Sequence, residues 1–295
     1  MISSAECMAW FAVFIIKSVG IVTVNLLSII LFIKNRSLRT RAMYLVINLT
    51  VADMFVGGTF DTIYTLKEFG CEILNFSFTT AWEFDYIMSF VFWWFPLTSL
   101  TNIAVISLDR AHATFRPFSH RGIKKWVYWV TITGVWVLTA IISTACFLIL
   151  QFKILSPVTY YYFWQSYCCL CLLVICVSYA SIAVKFLCGA HPQHHGAVGR
   201  QRKLTVTLFI MTILSLLMWL PYAILIFVRL TTYSMQSLSL VQQTRWYISL
   251  CLLFYANSLV NPIVYTIRMP EFRKALLVLF KRGQRQNADI PLHAR

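Results

Sequence analysis

Residues 126–150 read WVYWVTITGVWVLTAIISTACFLIL, a run without one Asp, Glu, Lys or Arg. An α-helix needs about 20 mostly apolar residues to cross the hydrocarbon core of a bilayer, and this run is long enough to do so. Working outward from it, comparable stretches lie at about 9–33, 43–66, 83–109, 160–187, 203–229 and 245–266, separated by charged breaks. Seven such stretches predict an all-α membrane protein, a seven-transmembrane helix bundle. Composition agrees: 59% of the 295 residues are hydrophobic and 12% charged, against about 25% charged in a soluble domain. After the seventh span, Glu271 to Phe280 alternates Phe272, Ala275, Leu276, Leu279 and Phe280 with Arg273 and Lys274, and Lys281 follows. This pattern predicts a short amphipathic helix lying on the membrane surface. The chain thus divides into an N-terminal segment, 1–8, the bundle, 9–266, and a surface helix with tail, 267–295.

Charge sets the expected orientation. Twenty of the 25 basic residues fall on one side, in the loops around Lys34–Arg41, Arg110–Lys125 and Lys185–Lys203 and in the tail from Arg268. The other side holds Lys67, Lys153, Arg229 and Arg245 with six acids, Glu6, Asp61, Glu68, Glu72, Glu83 and Asp85. Basic loops stay cytoplasmic during insertion, so the N-terminus is expected outside and the C-terminus inside. Met1 to Met8 has no basic leader, and the first span is expected to serve as its own signal-anchor. The formal net charge of +15 is then an orientation signal with an attraction to anionic membrane lipid. Nucleic-acid binding is disfavoured because the charges are scattered over short loops.

Ionisable groups inside spans are costly and tend to be functional. Asp53 stands near the middle of the second span, and other spans offer Asn25, Ser99, Asn102, Asn257, Ser258 and Asn261 at comparable depth. Asn257 and Asn261, four residues apart, share a helix face. A carboxylate ringed by amides and hydroxyls suits a hard cation or a proton; equally, the same groups could be interhelical hydrogen bonds worth about 1 kcal/mol or less each.

Ordered motifs add a family resemblance. Asn25, Leu49-Thr-Val-Ala-Asp53, Asp109-Arg110-Ala111 with Pro117 seven residues after the Arg, Trp136, Met218-Trp219-Leu220-Pro221, Asn261-Pro-Ile-Val-Tyr265 and Phe272 follow one another in order along the chain. Together they resemble the rhodopsin-like, or class A, G-protein-coupled receptors, over about residues 20–281. The resemblance implies a non-enzymatic plasma-membrane receptor that passes an extracellular ligand signal to a heterotrimeric G protein by outward movement of its sixth span, with arrestin and receptor kinase as further partners. It implies an allosteric sodium pocket at Asp53, Ser99, Trp219, Asn257, Ser258 and Asn261, with Na⁺ the one expected cofactor. It also implies a coupling switch of Asp109, Arg110, Tyr179 and Tyr265.

Departures from the family pattern make this an atypical member. Ala111 replaces the usual Tyr of the triplet, and Gln201 stands where an acid often faces Arg110. Without that acid, raised basal signalling is expected. Cys171 replaces the fifth-span Pro, and its relay partners become Leu100 and Ser215. Asp85 occupies the position of the usual third-span Cys. Phe92 stands where amine receptors carry their ligand-pairing Asp, and Tyr255 where an opsin carries its retinal Lys. A non-aminergic, non-opsin receptor is therefore expected.

Its ligand region is aromatic: Phe92, Trp93, Pro96, Trp219, Tyr222 and Tyr255 suit a largely apolar ligand or a peptide. Five consecutive residues, Phe92 to Pro96, wrap more than one helical face, so only two or three of them can line a pocket. Arg229 and Arg245, near the outer ends of the sixth and seventh spans, could recognise an anionic group, but as exposed loop-end charges they read rather as solvated. Among nine cysteines, Cys7 and Cys71 both lie on the outer side and could pair, and Asn75-Phe-Ser77 is an outer glycosylation sequon. The alternative from another class is a membrane transporter or ion channel using Asp53 as a relay, against which stands the lack of internal repeats.

Overall fold

The computed structural model describes residues 3–35, 38, 43–58, 82–152, 154, 157–188, 197–231 and 239–288. Among these lie α1 (Ser4–Lys34), α2 (Met43–Gly58), α3 (Trp82–Phe115), α4 (Pro117–Gly122), α5 (Lys125–Gln151), α6 (Pro157–Cys188), α7 (Ala197–Thr231), α8 (Leu240–Arg268) and α9 (Pro270–Ala288). No strand occurs among the described residues. Six helices, α1, α3, α5, α6, α7 and α8, are long and apolar enough to cross a membrane, and the shorter apolar α2 is the seventh span. Its expected extent to residue 66 runs past Gly58 into residues outside those described.

Local signals place the helix ends. The Ser3 hydroxyl accepts from the Glu6 amide at 3.2 Å and caps α1. Ser239 and Gln242 form a reciprocal capping box at the start of α8. Pro117 opens α4, where its missing N–H costs nothing. This short helix was not expected from the sequence, and α9 runs well beyond the expected 271–280.

Lipid as solvent inverts the usual pattern, with large apolar side chains outward and polar ones inward. Ile16, Val19, Trp126, Ile141, Leu173 and Leu217 are exposed on the bundle's outside. Asn25, Asn48, Asp53, Thr98, Ser99, Asn102 and Asn261 are buried within. The third span, α3, is the most buried and packs against α2, α5 and α6, while α1 packs on α2 and α8, and α7 on α8.

α1 and α2 pack closely at Gly57, where an added Cβ would overlap the Ile21 side chain. Close helix contact at small residues is the usual means of packing where lipid supplies no hydrophobic drive. Gly57→Ala is expected to lower stability by about 1–3 kcal/mol through overpacking. A lowered thermal midpoint in detergent is the check, and an unchanged or higher midpoint would show that the two helices separate freely.

Between α1 and α8, Arg245 of α8 reaches Glu6 of α1 with Nε–Oε1 2.7 Å and Nη2–Oε2 2.8 Å. The reading of Arg245 as a free solvated charge is therefore corrected: the guanidinium remains half in water but is paired in a two-point fork. Arg229's side chain lies outside the described residues. Cys7 is disulfide-bonded; Cys71, expected to be within reach of it, and the sequon at Asn75 lie outside the described residues.

Candidate functional site

Asp53 is completely buried, between α2, α3 and α8. Ser99 Oγ donates to its Oδ1 at 2.7 Å, Ser258 Oγ to the same oxygen at 3.0 Å, and Asn261 Nδ2 to Oδ2 at 2.5 Å. One carboxylate thus ties three spans together, and each bond to a buried charge is of the strong kind. Asn257 and Trp219 are buried as well, but neither hydrogen-bonds to Asp53.

Two neighbours assigned to this depth do other work. Asn25 donates Nδ2 to the Ser258 carbonyl at 2.9 Å, joining α1 to α8. Asn102 accepts from Asn48 Nδ2 at 2.6 Å, and Asn48 Oδ1 accepts from Trp136 Nε1 at 2.8 Å. This second network links α2, α3 and α5, and neither Asn25 nor Asn102 bonds to Asp53.

The donor set fits a hard cation. The carboxylate supplies charge, the two hydroxyls can turn a lone pair inward, and the side-chain oxygens of Asn257 and Asn261 are buried without a partner. Oxygen ligands of this kind suit sodium-like ions.

Nearer the Arg110 end, Ser215, Thr212, Met211 and Leu208 of α7 line a small cavity with Leu49, Ile103, Ile106 and Asn261. Ser215 Oγ is a further buried atom without a partner. Polar atoms without protein partners around a cavity suit ordered water.

Arg110, 2% exposed, holds Asp109 through Nε at 3.0 Å and also through Nη2. Among the described residues its guanidinium bonds to Asp109 alone. Asp109 is shared further: His120 Nε2 of α4 lies 2.9 Å from its Oδ1, and the Tyr128 hydroxyl of α5 donates to the same oxygen at 3.3 Å. Neither tyrosine of the expected switch hydrogen-bonds to Arg110. Tyr179 accepts from Thr212 Oγ1 at 3.3 Å and meets Phe209 at a tilt of 55°, whereas Tyr265 is sealed between Phe32 and Phe272. Gln201 lies in α7 with its side chain outside the described ones.

At the opposite end, five of the six expected ligand residues join one aromatic cluster. Phe92 meets Trp93 at 4.8 Å and Tyr255 at 6.0 Å between ring centroids; Phe254 then bridges Tyr255, Trp219 and Tyr222 at 5.1, 4.4 and 5.0 Å. Pro96 is buried within α3 beside them. Trp94 and Phe95 turn the other way, toward Trp136, and Phe95 stacks on Phe55. The divided faces of residues 92–96 follow from 100° per residue.

Sequence reasoning missed Phe254, Trp164 and Lys17 here. Lys17 is buried in α1, its ammonium 4.3 Å from the Tyr255 ring and 4.9 Å from that of Phe14. Such cation–π contacts offset part of the cost of desolvating an ammonium. The signal was a lone lysine inside an otherwise apolar span.

Comparison with known proteins gives a consistent picture. Residues 24–265 match the family described as 7 transmembrane receptor (rhodopsin family). Rhodopsin of Myripristis violacea is 24% identical over 291 residues, covering 88% of this chain and 78% of that protein. The substance-K receptor of Mesocricetus auratus is 23% identical, with 88% and 72% covered, and adenosine receptor A3 of Canis lupus familiaris is 24% identical, with 84% and 82% covered. Among solved structures, squid rhodopsin superposes with a TM-score of 0.76 at 16% identity, covering 96% of this chain and 87% of that one.

Proposed function

This chain belongs to the rhodopsin family of seven-transmembrane receptors, and from that premise we propose that it couples an extracellular ligand to a cytoplasmic heterotrimeric G protein through release of Arg110. Family membership makes it a signalling receptor rather than an enzyme, and sets aside the transporter or channel alternative. The proposed placement is the plasma membrane with the Arg110 end in the cytoplasm, as the basic loops favour.

The observation that carries the proposal is the state of Arg110: a buried guanidinium bonded, among the described residues, to its neighbour Asp109 alone. α7 carries no Asp or Glu, so packing rather than an ion pair to Arg110 restrains that helix. A receptor so restrained has a small gap between its held and released states, and a few kcal/mol decide the populations. Raised basal signalling follows.

Asp53 is the proposed allosteric site for Na⁺, which would supply the charge to balance its carboxylate in the held packing. Ser99, Ser258 and Asn261 orient that carboxylate, and the Asn257 oxygen stands one helical turn away on the same face of α8. The proposed ligand is largely apolar, or a peptide with an apolar side chain, received by the Phe92, Trp93 and Tyr255 cluster. The relatives' names span a rhodopsin, a substance-K receptor and an adenosine receptor, so resemblance selects no ligand class.

The test is a spin-label distance between the Arg110 ends of α3 and α7, measured on the full chain in nanodiscs with and without purified G protein. The reading expects a longer-distance population already present alone and growing with G protein. A single short distance under both conditions would contradict it.

A further inference from the structure

We infer that His120 is a positioning residue that makes the hold on Arg110 proton-dependent, so that acid on the cytoplasmic side favours release. This rests on the proposed role of Arg110 and extends it to a regulatory input.

The geometry comes from α4. Pro117 starts this single turn directly after α3, and the His120 amide donates to the Arg116 carbonyl at 2.9 Å. The turn folds the His120 ring back against α3, where it meets the His112 ring edge-on at 5.6 Å. Its Nε2 then lies 2.9 Å from Asp109 Oδ1 and 3.4 Å from the Tyr128 hydroxyl, while Arg110 occupies Asp109 Oδ2. Asp109 is therefore a hub that joins α3, α4 and α5 and divides its two oxygens between an imidazole with a phenol and a guanidinium. The His120 and Asp109 side chains are 12% and 11% exposed: protons reach them, yet water screens their interaction little.

Charge decides the direction. In the held state a protonated His120 and Arg110 share one carboxylate, and two cations stand close together. In the released state Arg110 has gone and Asp109 keeps His120 as its own counter-ion. The proton on His120 is bound more tightly in the released state, so by reciprocity the proton favours release. An imidazole is the side chain that ordinarily titrates in the cytoplasmic range.

The other groups facing this ring divide plainly. Tyr128 of α5 is a neutral phenol over that range. Arg116 and Arg121 beside it, and Lys124 and Lys125 at the start of α5, are exposed cations. His112 of α3, whose ring meets that of His120, is the second imidazole in reach and the necessary control.

The experiment uses the full chain in nanodiscs with a fluorine NMR probe at the Arg110 end of α7, followed from about pH 8 to about pH 6, alongside nucleotide exchange on purified G protein. One proton limits the response to at most about tenfold per pH unit. The released population of the parent protein is expected to rise about three- to fivefold over the range. His120→Gln, which keeps an N–H donor for Asp109, and His120→Tyr are expected to be flat, and His112→Gln to keep the parent slope. The inference is overturned if His120→Gln keeps the slope, if acid lowers the released population, or if only His112→Gln removes the response. A His120-dependent slope without nucleotide exchange would sink the G-protein reading and leave the latch standing; exchange without that slope would do the reverse.

Discussion

Asp53→Asn is expected to abolish any sodium dependence of the receptor at little cost in stability, whereas Asp53→Leu is expected to cost about 2–3 kcal/mol as well. Both variants remove the charge that a sodium ion would require. Asparagine still presents one oxygen to Ser99 and Ser258, and its amide N–H can donate to the unpartnered Asn261 oxygen once that amide turns over, so most of the junction between α2, α3 and α8 survives. Leucine presents none. The two serines then have a fallback in the carbonyl one turn earlier on their own helices, but the Asn261 amide, 2.5 Å from Asp53 Oδ2, is left without its acceptor. A stranded buried donor is costlier than the net worth of the bond it lost. In the parent protein, coupling between sodium and the released state is expected at about 1–3 kcal/mol, or 5- to 150-fold in affinity. Sodium titrated against choline, with thermal shift and agonist-independent exchange as readouts, checks both parts. A parent-like sodium response in Asp53→Asn would remove the ion from the account, and Asp53→Leu as stable as the parent would show that the three spans do not depend on this carboxylate.

The second large effect is expected at Phe272. This ring is 2% exposed and packs with Phe32 of α1 at 5.4 Å and Tyr265 of α8 at 5.9 Å, while Phe32 and Tyr265 meet at 5.8 Å. Three rings from three helices fill the junction that docks α9 on the bundle. Removing one leaves a cavity that rigid neighbours cannot close, and Phe272→Ala is expected to cost about 3–5 kcal/mol. The loss should be local. Amide protection in α9 should fall by two orders of magnitude or more, and Tyr265, no longer sealed, should become free to leave its present site. Phe272→Leu should cost less than half as much. If alanine left α9 as protected as before, the membrane surface rather than this cluster would be what holds the helix.

How far these features were legible depends on whether they are carried by averages or by single contacts. The spans were legible because some 20 apolar residues cannot hide in a run of loops. The Asp53 junction was legible in outline because an isolated carboxylate in an apolar helix demands partners, and few polar residues lie at its depth. Which of those partners reach it was not: Asn25 and Asn102 satisfy other groups, a distinction of helix phase that spacing alone leaves open. Lys17 escaped notice because one charge barely lowers the mean hydropathy of a 31-residue helix. The Asp109–His120 contact joins residues 11 apart across a helix break, and only the direction of α4 brings them together. Glu6 and Arg245, 239 residues apart, are brought together by packing alone.

The central claim, that release of Arg110 in this chain drives a G protein, is tested most directly by nucleotide exchange. The purified full chain in nanodiscs would be mixed with each of the main heterotrimer classes without added ligand, and guanine-nucleotide exchange followed for the parent protein and for Arg110→Ala. The account predicts exchange above the receptor-free rate with at least one heterotrimer, reduced to that rate by Arg110→Ala while the variant keeps its thermal midpoint to within a few degrees. Exchange that is equal in the two proteins, or absent from the parent with every heterotrimer while the spin-label distance still lengthens, would contradict it.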